Sequence, residues 1–494
     1  MEKTGSEAEG AATPLWSADE AAAATGGKRS GNWTSAQGIE IDSRLVGPGD
    51  LFVALKGPNR DGHDFVADAL EKGAAAALVT HRPKKLDKKA PLLIVEPDEN
   101  GDTLGALRDL GRSARARARR IAAVAVTGSV GKTSTKEMLR AALEDQAATH
   151  AAVKSFNNHW GVPLTLARTP ADSRYGVFEV GMNAPGEIAP LVAQIRPKAG
   201  IVTAVAPVHL EAFTAAGTGL AGIAAEKASI YGGLIEGGIA IAPADAPHFD
   251  RLAAAAKAAG AELWTFGPAG AEAKLLSVHL NGATTTVEAE FFGARTLFKI
   301  GALGAHFASN ALAALLAVKA VGADPAIAAL KLADWSAVDG RGARRRLALP
   351  GGGEILLVDE SYNANPASMR AALATFAQSE AMTTISGAEG RRLAFLTDML
   401  ELGPDAGDLH AALAAGPWIE RIDAVFTAGP AMARLHEALP QRLRGGHCAD
   451  AEELAELATR VVQAGDAAMV KGSLGSRARL VARAIEALGA VDAD

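Results

Sequence analysis

Through the middle of the chain one pattern recurs: a short apolar run, a polar turn, then a stretch with helical spacing. The runs are IAAVAV (121–126), YGVFEV (175–180), GIVTAV (200–205) and GGIAIA (237–242). Runs this short and this continuously apolar, separated by helices, predict parallel strands covered on both faces. ATTTVEAEFF then alternates apolar with polar residues, and a helix is predicted over 307–321. Beyond DWSAVDGRGARRR the pattern restarts with EILLV (354–358), RLAFL (392–396), DAVFTAG (423–429) and AAMV (467–470). That predicts a second doubly wound unit with its own core. Upstream, between Gly38 and Glu96, LFVAL, AAAALV and PLLIV alternate with the helical HDFVADALEKGA, a small α/β unit. Residues 1–31 are polar and rich in glycine and alanine, and are expected to be loosely packed.

The expected fold class is α/β in three domains: a small N-terminal domain (1–98), a central doubly wound parallel-sheet domain (99–338) and a Rossmann-like C-terminal domain (339–494). A chain of 494 residues exceeds what one core can organise. No short-period repeat is present, which excludes a solenoid. Hydrophobic residues at 49% and charged residues at 21% suit a globular protein. A net charge of -6 argues against a general nucleic-acid binder, which needs a basic surface. The basic run RSARARARR (112–120) is read as a solvated helix face. The single cysteine, Cys448, rules out an internal disulfide framework and carries no nucleophile motif. The opening residues lack the apolar core of a signal peptide. The most apolar long segment, AHFASNALAALLAVKAVGA, holds His306, Ser309, Asn310 and Lys319, against a membrane span. A soluble, cytoplasmic protein is expected.

The chemistry collects beyond the carboxyl ends of the predicted strands, where open parallel sheets bind ligands. IAAVAV runs into TGSVGKTST. A standard phosphate loop, G-x-x-x-x-G-K-[ST], would need glycine at 126, where the chain has Val126. A shorter turn suffices physically: converging backbone N–H groups, a helix N-terminus and a lysine. Thr127, Gly128, Ser129, Val130, Gly131, Lys132, Thr133 and Ser134 are the candidate ATP-binding residues. Gly128 and Gly131 permit close approach, Lys132 can reach the β/γ-phosphates, and Thr133 can ligate Mg²⁺. Glu179 ends YGVFEV, and His209 with Glu211 follows GIVTAV. A strand-end glutamate can simply pair with a cation and a lone histidine is commonly structural. Their shared edge with Thr133 points instead to an Mg²⁺ shell of Thr133, Glu179 and His209. Lys227 alone reads as a solvated helix lysine. ILLVDES (355–361) offers a rival reading: Asp359-Glu360 resemble a Walker B strand, which would make the protein a P-loop ATPase switch or motor. Two hundred residues and a different predicted sheet separate it from the loop, and SYNANPASM has no role in activating water.

The short loop, Glu179, His209, DESYNANPASM (359–369) and TDMLELG (397–403) resemble the Mur ligase superfamily, ATP-dependent amide-forming enzymes of cell-wall synthesis and their folate-ligating relatives. IDSRLVGPGDLFVALKG and RDGHDFVADALEKGA resemble its UDP-sugar-binding domain, and the similarity runs from about Gly38 to the end. The resemblance implies an ATP-dependent ligase joining D-alanyl-D-alanine to UDP-N-acetylmuramoyl-tripeptide through an acyl phosphate, with Mg²⁺ and a monomeric chain. It implies catalytic roles for Lys132, Glu179, His209 and Lys227, the last carbamylated by CO₂. It places His306 and Asn310 by the adenine, Arg341 by the phosphates and Asp359 by the ribose. Ser43 and Arg44 fall near the uridine nucleotide, and Asn363, Asn365 and Ser368 near the incoming dipeptide. Thr397 stands where the family has glycine. A ligase adding a single amino acid, or one resembling folylpolyglutamate synthase, is the neighbouring alternative.

Overall fold

The apolar runs become strands that the chain buries on both faces. Ala122–Thr127 is buried from its second residue on, and Ile239–Pro243 and Ala467–Lys471 are buried throughout. The computed structural model describes residues 13–379, 387 and 389–489. It divides into two units, Met1–Ala122 with Ala148–Phe178, and Ala123–Ala147 with Glu179–Asp494.

The larger unit holds two sheets. In the first, strands Ala294–Ile300, Thr284–Phe291, Ala273–Asn281, Glu262–Gly267, Ile239–Pro243, Ala199–Val202 and Ala122–Thr127 are hydrogen-bonded in that order. Pairing is parallel from Ala122–Thr127 as far as Ala273–Asn281, and then turns antiparallel. The strands expected to be parallel are so, and the alternating stretch ATTTVEAEFF lies in the antiparallel end. Thr284–Phe291 alternates buried and half-buried residues, so one face is packed and the other wet, which tight hairpins tolerate and crossover helices do not. Helix Ala305–Ala320 follows, buried almost all round because the sheet, the helix Lys132–Glu144 and the helix Pro325–Leu332 all pack on it.

The second sheet runs Ala343–Ala348, Glu354–Glu360, Ala467–Lys471, Arg392–Thr397, Ala424–Ala428, Arg444–Cys448. Only its first strand is antiparallel to its neighbour. Met369, Leu373, Phe376, Trp418 and Met469 fill one face. Phe395 and Phe426, stacked with centroids 4.9 Å apart, lie on the other with Leu454 and Ile485. Because the last strand inserts between the first two parallel ones, the ends of Glu354–Glu360, Arg392–Thr397 and Ala467–Lys471 share one edge.

In the smaller unit five strands pair in the order Lys28–Ser30, Leu92–Ile94, Ala76–Val79, Asp50–Val53, Gly38–Glu40. Residues 1–12 of the expected loose leader lie outside the described residues. From Trp16 on that expectation is corrected. Ser17 and Glu20 close a capping box on helix Ala18–Thr25, which satisfies two otherwise orphaned N–H groups. Trp16 is fully buried, and its Nε1 donates to the Ala167 carbonyl at 2.9 Å. The Arg117 guanidinium lies 3.9 Å from the centre of the Trp16 ring. One arginine of the basic run thus packs on an aromatic face rather than standing in solvent.

Candidate active site

The phosphate loop is held open by two glycines and stitched to its neighbour. Gly131, at φ +84°, caps helix Lys132–Glu144 with no side-chain hydrogen bond at that end. A helix N-terminus following such a glycine turn is a favourable place for an anion. A Cβ on Gly128 would stand 1.9 Å from Thr203 Oγ1, and one on Gly131 2.5 Å from Asn310 Oδ1. Ser129 N donates to Ala204 O at 2.9 Å, and its hydroxyl donates to Ala206 O at 2.8 Å. Thr203 Oγ1 lies 2.5 Å from Val130 O and 3.1 Å from Thr127 O. Met138, Leu139, Ala142 and Leu143 bury the inward face of the helix, as its spacing predicts.

Val180 N donates to Val126 O at 2.8 Å, which brings Glu179 to the end of the loop strand. There Thr133 Oγ1 donates to Glu179 Oε2 at 2.8 Å. Lys132 folds back, its Nζ donating to Gly128 O at 2.7 Å. Burial holds its pKa below the ordinary lysine value, with Glu179 opposing and Arg341 assisting. His209 has a left-handed backbone (φ 50°, ψ 31°), a conformation that costs about 1–2 kcal/mol and that histidine visits more readily than most residues. Its Nδ1 contacts Glu401 Oε2 of the second sheet. Burial lowers its pKa, Glu401 opposes, and the charges of Lys132 and Lys227 add to the fall. Lys227, on helix Gly219–Ala228, is 1% exposed. Its pKa lies well below the ordinary value through burial first and the Lys132 charge second, with Glu226 opposing. The Glu226 carboxylate itself accepts from Gly186 N and Ile188 N at 2.7 and 2.8 Å. Lys132, Thr133, Glu179, His209, Lys227 and Asn310 therefore gather around one loop, and the Arg341 charge is felt there.

Among the described residues no three His, Cys, Asp or Glu side chains form a metal cage. Mg²⁺ does not require one, since it is ordinarily held by one or two carboxylates with substrate phosphates. Thr133 and Glu179, two hard oxygen donors in contact beside a phosphate loop, fit that ion.

The second sheet contributes a further group. Burial lowers the pKa of His306, at the start of Ala305–Ala320, with Glu360 opposing and Lys471 assisting. Its Nδ1 has no partner among the described residues. Lys471, 2% exposed, pairs with Glu360 at 3.2 Å and donates to Asn363 O at 3.0 Å. The Arg341 guanidinium sits 4.2 Å from the centre of the Tyr362 ring. Asp359 accepts from Gly340 N, Ser361 N and Ser361 Oγ at 3.0, 3.0 and 2.6 Å. Asn365 and Ser368 form the capping box of helix Pro366–Ala377, and Asn363 Oδ1 accepts from Ala364 N at 2.9 Å. Thr397 Oγ1 lies 2.7 Å from Ser476 Oγ, and a Cβ on Gly472 would stand 1.8 Å from it. Ser43 and Arg44 belong to the smaller unit, where exposed Arg44 pairs with Asp42 at 2.6 Å and the Ser43 carbonyl accepts from Lys72 Nζ at 2.6 Å. Sequence reasoning missed Thr203, Glu360 as the partner of Lys471, and Glu401. Of these Glu360 and Glu401 carried a signal, as parts of DESYNANPASM and TDMLELG, though neither partner was named.

A shortened phosphate loop at the carboxyl edge of one doubly wound sheet, with His209 of the same edge in contact with Glu401 from the loop after a strand of a second such sheet, defines a nucleotide-dependent α/β enzyme. The chain belongs to the Mur ligase family. The family's catalytic domain matches residues 35–125, its middle domain 126–318 and its glutamate ligase domain 345–474. The UDP-N-acetylmuramoyl-tripeptide–D-alanyl-D-alanine ligase of Escherichia coli (strain K12) is 35% identical over 457 residues, 91% of this chain and 94% of that protein. Crystal structure I of MurF from Acinetobacter baumannii superposes with a TM-score of 0.80 at 27% identity, covering 96% of this chain and 99% of that one. The MurF ligase of Thermotoga maritima in complex with ADP gives 0.71 at 25% identity, covering 91% and 97%.

Proposed function

We propose that this protein is an ATP-dependent ligase that joins D-alanyl-D-alanine to UDP-N-acetylmuramoyl-tripeptide, as a monomer in the cytoplasm, for peptidoglycan synthesis. The carrying observation is the Thr133–Glu179 contact beside Lys132 on an uncapped helix N-terminus. The relatives' printed activity over nine-tenths of the chain supports the choice of substrates.

A carboxylate is a poor electrophile. Its oxygen attacks the γ-phosphorus of ATP, the bond to the ADP oxygen breaks, and an acyl phosphate forms. The dipeptide amine, having lost a proton, then attacks the acyl carbon and phosphate leaves. The loop Thr127–Ser134 and Lys132 hold the phosphates, so charge developing on the transferring oxygens meets fixed donors. Thr133, Glu179 and His209 are the residues to hold Mg²⁺, which when bound offsets phosphate charge. Lys227, whose burial disfavours the ammonium form, is assigned as the lysine whose amine adds CO₂ and releases a proton to become a carbamate. His306, Asn310 and Asp359 are assigned to the nucleoside and Arg341 to the phosphates. Asn363, Asn365 and Ser368 shape the dipeptide side, and Ser43 and Arg44 the uridine nucleotide. The partition into domains 1–98, 99–338 and 339–494 is part of the same proposal.

Coupled ADP release, measured with each substrate omitted in turn, tests it. A ligase sustains ADP release through repeated turnover only with both substrates present. Equal release without them would identify an ATPase instead.

A further inference from the structure

His209 and Glu401 meet across the two sheets of the larger unit, and both hold left-handed backbones, at φ 50° and 63°. The loop carrying Glu401 is pinned by hydrogen bonds just ahead of it. Asp398 accepts from Ala431 N and Met432 N at 3.3 and 2.8 Å, Met399 N donates to His410 Nε2 at 2.9 Å, and Leu400 N donates to Ser473 Oγ at 3.0 Å. Met399 and Leu402 are buried beneath. Glu401 itself is 58% exposed, so the fold gains little from it and the pedestal serves mainly to aim it.

We propose that Glu401 is a positioning residue for His209, its carboxylate fixing the imidazole with the proton on Nδ1 so that Nε2 is the nitrogen left for a divalent cation. An ionised carboxylate can only accept, which assigns the Nδ1–H tautomer. Carboxylates orient metal-binding histidines in this way, and their loss weakens metal binding. Because Glu401 comes from the second sheet, His209 is oriented only while the two sheets are apposed. Apposition of the sheets and completion of the metal site are therefore one event. This rests on the ligase reading of the site.

The test uses the full chain with Mn²⁺ as the probe, in the presence of ADP, for wild type, Glu401→Ala, Glu401→Gln and Lys132→Ala. Mn²⁺ affinity is read by electron paramagnetic resonance and the His209 tautomer by ¹⁵N shifts, assigned through their loss in His209→Asn. The expected result for Glu401→Ala is Mn²⁺ binding weakened by about tenfold, mixed His209 tautomers, a lower kcat and an unchanged melting temperature. Glu401→Gln, whose amide oxygen still accepts from Nδ1–H, retains part of the affinity. Wild-type Mn²⁺ affinity and an unchanged ¹⁵N pattern in Glu401→Ala would overturn the inference. ADP release reports separately: wild-type release that does not depend on the two substrates, and that is silenced in Lys132→Ala, would overturn the ligase reading, while the Mn²⁺ and ¹⁵N results still decide the role of Glu401.

Discussion

Gly131 and Asn310 lie so close that a Cβ on the glycine would stand 2.5 Å from the asparagine Oδ1. The phosphate loop and helix Ala305–Ala320 thus touch where only a hydrogen atom fits.

Gly131→Ala is expected to lower ADP affinity by about tenfold or more, since the left-handed backbone alone costs roughly 1–2 kcal/mol and 1.4 kcal/mol is tenfold. Titration calorimetry with ADP measures it. Adding Asn310→Gly relieves the contact but not the φ of +84°, and it removes a residue assigned to the nucleoside, so affinity should not recover.

Lys132→Ala should cut turnover by about 10²–10³-fold, the scale of losing a preorganised donor to a transferring group. The melting temperature should hold, because the Nζ is desolvated and its hydrogen bond is to the loop carbonyl of Gly128. A coupled ADP assay beside a thermal melt separates the two effects.

Lys227 gives a pH signature. Burial first, and the Lys132 charge second, hold its pKa well below the ordinary lysine value. Between those two values the unfolded chain binds more protons here than the folded one, so this site's contribution to stability rises with pH. In bicarbonate-free buffer, where the lysine is unmodified, Lys227→Met should remove that slope and raise the melting temperature at neutral pH. Its activity should fall, and added bicarbonate should not restore it. Melts across neutral to alkaline pH, with and without the substitution, check the sign.

Trp16→Ala should destabilise the smaller unit by about 3–5 kcal/mol, the usual cost of truncating a buried aromatic. The ring is fully buried, donates to Ala167 O and lies under Arg117. A denaturant titration reads the loss. A cost below 1 kcal/mol would mean that the N-terminal helix is an ornament on the fold.

The sheets were legible because parallel strands buried on both faces spell themselves as continuous apolar runs, IAAVAV being the plainest. The phosphate loop was legible because its chemistry is local to nine residues. Arg444–Cys448 was missed since RGGHC has neither apolar character nor alternation, yet it pairs at the rim of the sheet where little burial is needed. Trp16 was hidden by polar neighbours, its burial depending on Ala167, 151 positions on. Glu401 contacts a histidine 192 positions away, and no spacing rule reaches that far. Thr203 is unremarkable in sequence because any hydroxyl can follow a strand.

The Thr397 hydroxyl occupies the space that a methyl at position 472 would need. The same methyl would also stand 2.9 Å from Ala478 Cβ and 3.0 Å from Ser476 Oγ. Glycine at 472 is therefore what lets the turn after Ala467–Lys471 lie flat against the end of Arg392–Thr397, and Gly472→Ala would have to push these two strand ends apart.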